Sequence, residues 1–388
     1  MVDDERRNEV EDELRRQAKK SFDTGMTAFR RGDYLEALSA LDDALELCQD
    51  ISDSECGQAD CLHSSGIVLG EMGDLREALG CYEQALVLYR EVPGNECGQA
   101  DCLYNSGVAL GGLGDSRGAS ECYERALILF QGVPDSECAQ AECLFNRGAM
   151  LNELGDWWGA LGCFEQSLTL FQGVPGSERE QADCLYGSGV SLSELGDCWG
   201  ALGYFDRALV LLDKGVVEAD WAEAERTGAR CLQGIGDCLV ELNEAVFPDH
   251  FARALEVFQR PEHVDHTKAD QASCLRSIGN GRSATGDLNG AVEAYQQAQD
   301  LYRQVGQPER ATEINVPLAR ALKRKAVAID SIFERLALLE ESLNLTIEAA
   351  LSLDRARFRL DRLDDRQRWF QAYARSTMDL ALEVAAEL

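Results

Sequence analysis

The sequence predicts an all-α chain folded as an α-solenoid, and three observations carry that prediction. A Gly-Asp pair recurs at Gly32, Gly73, Gly114, Gly155 and Gly196, a strict spacing of 41 residues, and returns at Gly286-Asp287. A second glycine precedes each pair by seven residues, at Gly25, Gly66, Gly107, Gly148 and Gly189, with Gly236 and Gly279 in later units. Small residues follow five after each turn glycine (Ala37, Ala78, Ala119, Ala160, Ala201, Ala291), and four beyond them stand Leu41, Tyr82, Tyr123, Phe164, Phe205 and Tyr295. Self-similarity at a fixed period of this size marks a repeat array, whose core grows by addition of units.

Each period holds two amphipathic helices. Leu103, Gly107 and Leu110 recur at steps of four and three and share one helical face, and Ala119, Tyr123, Ala126 and Leu127 do the same after the turn. Glycine at the turn can take the left-handed backbone that ends the first helix, and the following residues start the second. Small residues admit close helix approach and large ones fill the space between. Between units, Pro93, Pro134 and Pro175 are expected to stop the second helix, while Asn95, Ser136 and Ser177 are natural caps for the next one.

The pattern Leu-x-x-x-Gly, Gly-Asp, Ala-x-x-x-aromatic-x-x-Ala resembles the tetratricopeptide repeat, in seven units over residues 18–305. That family's usual period is about 34 residues, so a period of 41 lengthens the connection between units and the first helix by about one turn. The resemblance implies a right-handed α-solenoid and, by likeness to the long repeats of kinesin light chain and spindle-orientation adaptors, peptide binding. Residues 1–17 read as a charged helical lead-in. The unit at about 222–260 is irregular: NEAVFPDHF replaces its turn, Gly236-Asp237 spells the pair too early, and Ala254 and Phe258 stand in the small and large places. Whether the array bends near 243–268 stays open. Residues 306–350 read as a degenerate eighth pair, and 351–388 as a capping segment with Arg355, Arg359, Arg362 and Arg366 near one side. This last stretch also resembles the segment that leads into a CHAT protease domain in actinobacterial proteins.

Composition narrows the function. The formal net charge is −32, and residues 301–388 hold 14 basic and 14 acidic residues, so the excess acid lies in residues 1–300. Such a surface repels a phosphate backbone and an anionic membrane, which sets both aside as partners. No apolar run approaches the roughly 20 residues that span a bilayer, and the charged N-terminus is no signal peptide, so a cytoplasmic protein is expected. No H-E-x-x-H, Walker-type or phosphate-cradling glycine motif occurs. The expectation is a non-enzymatic chain without catalytic residues, cofactor or bound metal.

Fifteen cysteines invite a redox or zinc reading. Cys61, Cys102, Cys143, Cys184, Cys231 and Cys274 share one repeat position; Cys81, Cys122 and Cys163 share a second; Cys56, Cys97 and Cys138 share a third. No C-x-x-C pair exists to supply a tetrahedral site, and packing between helices is the expected role. His263 and His266 fall in the irregular unit, where a solvated loop is expected over a metal site. Trp157, Trp158 and Trp199 stand near successive turns, either filling a core between repeats or forming an exposed docking patch.

The candidate site follows from the resemblance, which implies that residues three and six before the first-helix glycine face the inner surface. Three before, the column reads Phe22, His63, Tyr104, Phe145, Tyr186, Gln233 and Arg276; six before, it reads Lys19, Asp60, Asp101, Glu142, Asp183, Arg230 and Ser273. Asn105 and Asn146, two before their glycines, are placed to hold a peptide backbone as asparagines do in related adaptors. Four acids beside a mostly aromatic row suit a protein or peptide segment that mixes basic and apolar residues. The binding set is therefore Asp60, His63, Asp101, Tyr104, Asn105, Glu142, Phe145, Asn146, Asp183 and Tyr186. A different expectation is a regulatory sensor module for a CHAT-type caspase-like effector in a longer chain or a neighbouring gene.

Overall fold

The computed structural model describes residues 2–215, 221–244, 247–260, 264–357 and 375–388, with side chains described for 10–213, 221–244, 247–260, 267–352 and 375–388. His263, Arg359, Arg362 and Arg366, and with them most of the stretch that resembles a CHAT lead-in, lie outside the described residues; so do the side chains of His266 and Arg355. Among the described residues all regular structure is helical.

Two compact units divide the chain, Met1–Leu195 and Gly196–Leu388. The first holds α1 (Val2–Arg30), α2 (Tyr34–Gln49), α3 (Glu55–Met72), α4 (Leu75–Glu91), α5 (Glu96–Gly112), α6 (Ser116–Phe130), α7 (Glu137–Glu153), α8 (Trp157–Phe171) and α9 (Glu178–Glu194). The second holds α10 (Cys198–Gly215), α11 (Trp221–Glu241), α12 (Phe247–Phe258), α13 (Val264–Thr285), α14 (Leu288–Gln304), α15 (Pro308–Glu313), α16 (Asn315–Val327), α17 (Ile332–Arg357) and α18 (Arg375–Glu387). The charged lead-in and the first repeat helix are one continuous α1. After the last Gly-Asp turn, α16, α17 and α18 share a core of Ala319, Ala326, Leu339, Leu380 and Val384.

The Gly-Asp pair works as two devices in sequence. Each turn glycine is left-handed, from φ +77° at Gly155 to +90° at Gly286, and in the first unit the aspartate N–H reaches back to close the helix, as in Asp74 N to Leu69 O at 2.9 Å. The aspartate side chain then caps the second helix, Asp115 Oδ1 accepting from Gly118 N at 2.9 Å, Asp156 from Gly159 at 3.0 Å and Asp287 from Gly290 at 3.0 Å. Asp33 and Asp74 make no such bond, and three residues after each of these stands a glutamate, Glu36 or Glu77, instead of glycine. A Cβ at residue 118 would lie 2.5 Å from the Asp115 carboxylate, so the glycine makes room for the cap.

The preceding glycine is a packing contact. A Cβ at Gly66 would meet Tyr82 Cε1 at 2.5 Å, one at Gly107 would meet Tyr123 Cε1 at 2.7 Å, and one at Gly148 would meet Phe164 Cε1 at 2.9 Å. Each second-helix ring therefore lies flush on the first helix of its own pair. Neighbouring pairs complete the core: Ala100 and Leu103 of α5, Ala126 and Phe130 of α6 and Cys143 of α7 form one buried cluster. Burying a ring such as Phe130 is worth about 1.5–3 kcal/mol, so no pair is self-sufficient.

Two expectations require correction. In the irregular unit the ring that packs on Gly236 is Phe251, whose Cε1 would lie 2.5 Å from an added Cβ, and not Phe258. The turn itself survives, because Asn243 takes the left-handed conformation at φ +57° and Glu244 N bonds Leu239 O at 2.8 Å. Asparagine tolerates this region better than other side-chain-bearing residues. The helix then starts four residues past Asn243 instead of two past a glycine, which shifts the register; Ala254 falls three after the ring, like Ala85 and Ala126. Secondly, Ser136 and Ser177 occupy N-cap positions without capping α7 or α9. Their hydroxyls donate to carbonyls at the end of the previous helix, Ser136 Oγ to Phe130 O at 2.6 Å and Ser177 Oγ to Phe171 O at 2.5 Å. Asn95 likewise makes no side-chain cap. The prolines follow helix ends already closed at Glu91, Phe130 and Phe171.

Candidate functional site

The ten residues of the candidate set are carried by α3, α5, α7 and α9, all in the first unit. Their helices start one turn upstream of the acid column, and the glycine–ring contacts fix the rotation of each helix on its partner. His63, Tyr104 and Phe145 stand beside those same rings: His63 with Tyr82 at 5.8 Å between centroids, Tyr104 edge-on to Tyr123 at 5.7 Å, and Phe145 edge-on to Phe164 at 5.6 Å. All three, like Tyr186, remain half-buried. One face of each ring system is thus used for packing.

Hydrogen bonds join this row from one repeat to the next. Asn105 Nδ2 lies 2.8 Å from His63 Nε2, and Asn146 Nδ2 donates to Tyr104 Oη at 3.0 Å. Both links span 42 residues, so each asparagine clamps the residue that precedes it by one repeat. Sequence reasoning gave the asparagines to a ligand; the structure gives their amide N–H to the array, with the carbonyl oxygen of each unbonded among the described residues. This coupling left no signal in a single unit, and it is legible only when two units are laid side by side.

The acids flank the row and differ in environment. Asp60 is exposed and accepts from Tyr89 Oη at 2.5 Å; Glu142 is exposed. Asp101 is half-buried, and its carboxyl is pushed up from the usual range by burial, with His63 and the Cys97 thiol acting in the opposite direction. Asp183 is ion-paired with Arg179 at 3.1 Å on its own helix. Burial holds His63 below the ordinary histidine range, although Asp101 and Asp60 oppose it. The Tyr104 hydroxyl is pushed up to about 12, first by burial and then by Glu142. The geometry joins Asp60, His63, Asp101 and Asn105 into one cluster and Tyr104, Glu142 and Asn146 into the next.

The cysteines divide by position. Cys61, Cys102, Cys143 and Cys184 of the first unit are buried, and burial pushes each thiol up to about 12, so they pack as small apolar groups. Cys56, Cys97 and Cys138 are exposed, against the packing expectation. They sit one helical turn before the acid column, and Cys97 Sγ donates to Asp101 Oδ2 at 3.8 Å and Cys138 Sγ to Glu142 Oε1 at 3.7 Å. Burial and the neighbouring carboxylates raise these thiols too, which keeps them protonated. Among the described residues no three His, Cys, Asp or Glu side chains converge as metal ligands.

The tryptophans also depart from a core-filling role. Trp157 is half-buried, whereas Trp158 in the first unit is 70% exposed and Trp199 in the second is 68% exposed. Trp158 occupies the repeat position of Arg76 and Arg117, which faces outward from the second helix. No described helix is long and apolar enough to cross a membrane.

Stacked helix pairs bound to one another through a repeated polar and aromatic row define an α-helical repeat protein. Residues 23–91, 58–132 and 137–214 match the tetratricopeptide repeat family, so this part of the chain is built of tetratricopeptide repeats. Solved structures agree in fold: apo RapI has a TM-score of 0.60 at 17% identity, covering 75% of this chain and 99% of that one. A Rap protein complexed with competence and sporulation factor has a TM-score of 0.55 at 15% identity, covering 96% and 100%. A tetratricopeptide repeat protein from Parabacteroides merdae has 0.52 at 16%, covering 77% and 98%. No curated protein matches the sequence.

Proposed function

We propose that this chain is a non-enzymatic interaction scaffold whose α3, α5, α7 and α9 face takes a basic or amphipathic protein segment. The observation that carries the reading is the asparagine ladder, His63 to Asn105 and Tyr104 to Asn146, running beside Asp60, Asp101 and Glu142. The ladder fixes the aromatic row and leaves the amide oxygens of Asn105 and Asn146 turned to no described group, where a peptide N–H would find an acceptor. The acids steer a cationic segment and the half-buried rings hold apolar or guanidinium groups. Burial of Asp101, which costs stability while it is charged, is the kind of strain that a cationic partner relieves. Support by likeness comes from the Rap structure solved with competence and sporulation factor, a chain of this fold with a bound partner.

Photo-cross-linking tests the placement. A Lys/Leu amphipathic peptide of about fifteen residues, long enough to cross several repeats in extended form, is given a benzophenone side chain and irradiated with the full chain. Adducts mapping to α3, α5, α7 or α9 are the expected result; adducts confined to the second helices or to the second unit would overturn the reading. The role of a regulator of a CHAT-type effector rests on the resemblance of residues 351–388 alone, and a basic segment of such an effector would be one occupant of the same face.

A further inference from the structure

The second unit carries a surface of the opposite sign. Tyr295 of α14 is buried and donates its hydroxyl to Asn280 Oδ1 at 2.8 Å. The charged groups that act on that hydroxyl are Arg276 of α13 and Arg320 and Arg324 of α16, with no carboxylate among them. Arg324 Nη1 donates to Ser283 O at 2.7 Å and Ser283 Oγ at 3.1 Å, fastening α16 to α13; Arg320 reaches Ser376 Oγ at 3.4 Å.

In a chain with 69 acidic and 37 basic residues, three arginines acting on one hydroxyl, with no carboxylate among the groups that act on it, make a local patch of positive charge. Arg147, Arg226, Arg230, Arg260 and Arg303 are each ion-paired. Among the described residues Arg276, Arg320 and Arg324 are not, and the Nε of Arg276 is buried without a hydrogen-bond partner. Asp237 and Glu313 also lie near Arg276. Asp237 is occupied by Ser277 Oγ at 3.0 Å, and Arg310 shares the field of Glu313. Arg320 and Arg324, held in place by neutral groups and without an ion pair, beside Arg276, whose carboxylate neighbours are shared with other groups, point to a partner that brings the anions.

We propose that the α13–α16 face, with Arg276, Asn280, Ser283, Arg320 and Arg324, binds an acidic segment of a partner protein. This site stands independently of the basic-segment reading, because it uses different helices and the opposite charge. Carboxylate side chains match the forked guanidinium donors, and the overall acidity of the chain disfavours a nucleic acid in the same place.

Fluorescence anisotropy with a fluorescein-labelled ten-residue polyglutamate peptide tests the site on the full chain at low and high salt. Binding that weakens with salt, and falls about tenfold or more in Arg320→Glu/Arg324→Glu with helicity unchanged, is expected. Arg320→Lys/Arg324→Lys, which keeps the charge, retains at least part of the affinity. No polyglutamate binding at low salt, or equal binding by the charge-reversed variant, overturns the proposal. Tighter binding of an oligouridylate, lost in the same variant, overturns it in favour of a nucleic-acid site. The Lys/Leu peptide serves as the separating control: its binding is unaffected by these substitutions, so failure here and failure of the acidic face are distinguishable.

Discussion

Asn146 Nδ2 donates to Tyr104 Oη at 3.0 Å across two repeats, and Asn105 stands in the same relation to His63 at 2.8 Å. The bond couples the first helix of one pair to that of the next through side chains that also face the candidate site. Tyr104→Phe and Asn146→Ala should each cost about 0.5–1.5 kcal/mol, and the double variant less than their sum. Urea unfolding of the four proteins checks this; strict additivity would show that the bond does not couple the repeats.

Asp156 caps α8 through Gly159 N, whereas Asp74 makes no side-chain cap on α4. Asp156→Ala is therefore predicted to cost about 1 kcal/mol and Asp74→Ala distinctly less. Equal losses in thermal or denaturant unfolding would refute the distinction.

Gly107→Ala places a Cβ 2.7 Å from Tyr123 Cε1, about 1 Å inside ordinary carbon–carbon contact. A loss of roughly 1–3 kcal/mol is expected. In a Tyr123→Ala background the same substitution should cost much less, and a cost that persists there would mean the ring is not what excludes the side chain.

His63 is held below its ordinary range by burial. A group whose folded pKa is depressed contributes stability that is present above the unfolded value, about 6.5, and is lost as pH falls through the folded value. The melting temperature should therefore fall more steeply below neutrality in the native protein than in His63→Gln. Asp101 is shifted the other way: its folded carboxyl is raised, so it favours the fold below the unfolded value and ceases to do so as pH rises through the folded one. Asp101→Asn should raise the neutral-pH melting temperature by at most a few degrees while weakening a cationic ligand. A fall in both would assign Asp101 a purely structural role.

The repeat fold was legible because backbone demands recur in register. Gly32, Gly73 and Gly114 announce turns, and Gly66 and Gly107 announce close contacts with Tyr82 and Tyr123. Legibility failed where another residue met the same demand. Asn243 replaces a turn glycine and moved the apparent ring from Phe251 to Phe258, and Ser136 serves the carbonyls behind it although its position marks it as a cap. The candidate face was legible as a column of residue types, while its asparagine links depend on how neighbouring helices are offset, a property that no single unit encodes. Exposure was the least readable feature: Cys97 and Cys102 lie five residues apart in one helix, yet one faces solvent and the other the core.

The claim that the α3–α9 face receives a cationic segment is tested most directly by anisotropy of the labelled Lys/Leu peptide at two salt concentrations, with the native chain and with Asp101→Lys/Glu142→Lys/Asp183→Lys. Native binding that weakens with salt, and a loss of about tenfold or more in the variant with helicity preserved, is the predicted result. Equal affinity of the two proteins at low salt would contradict it.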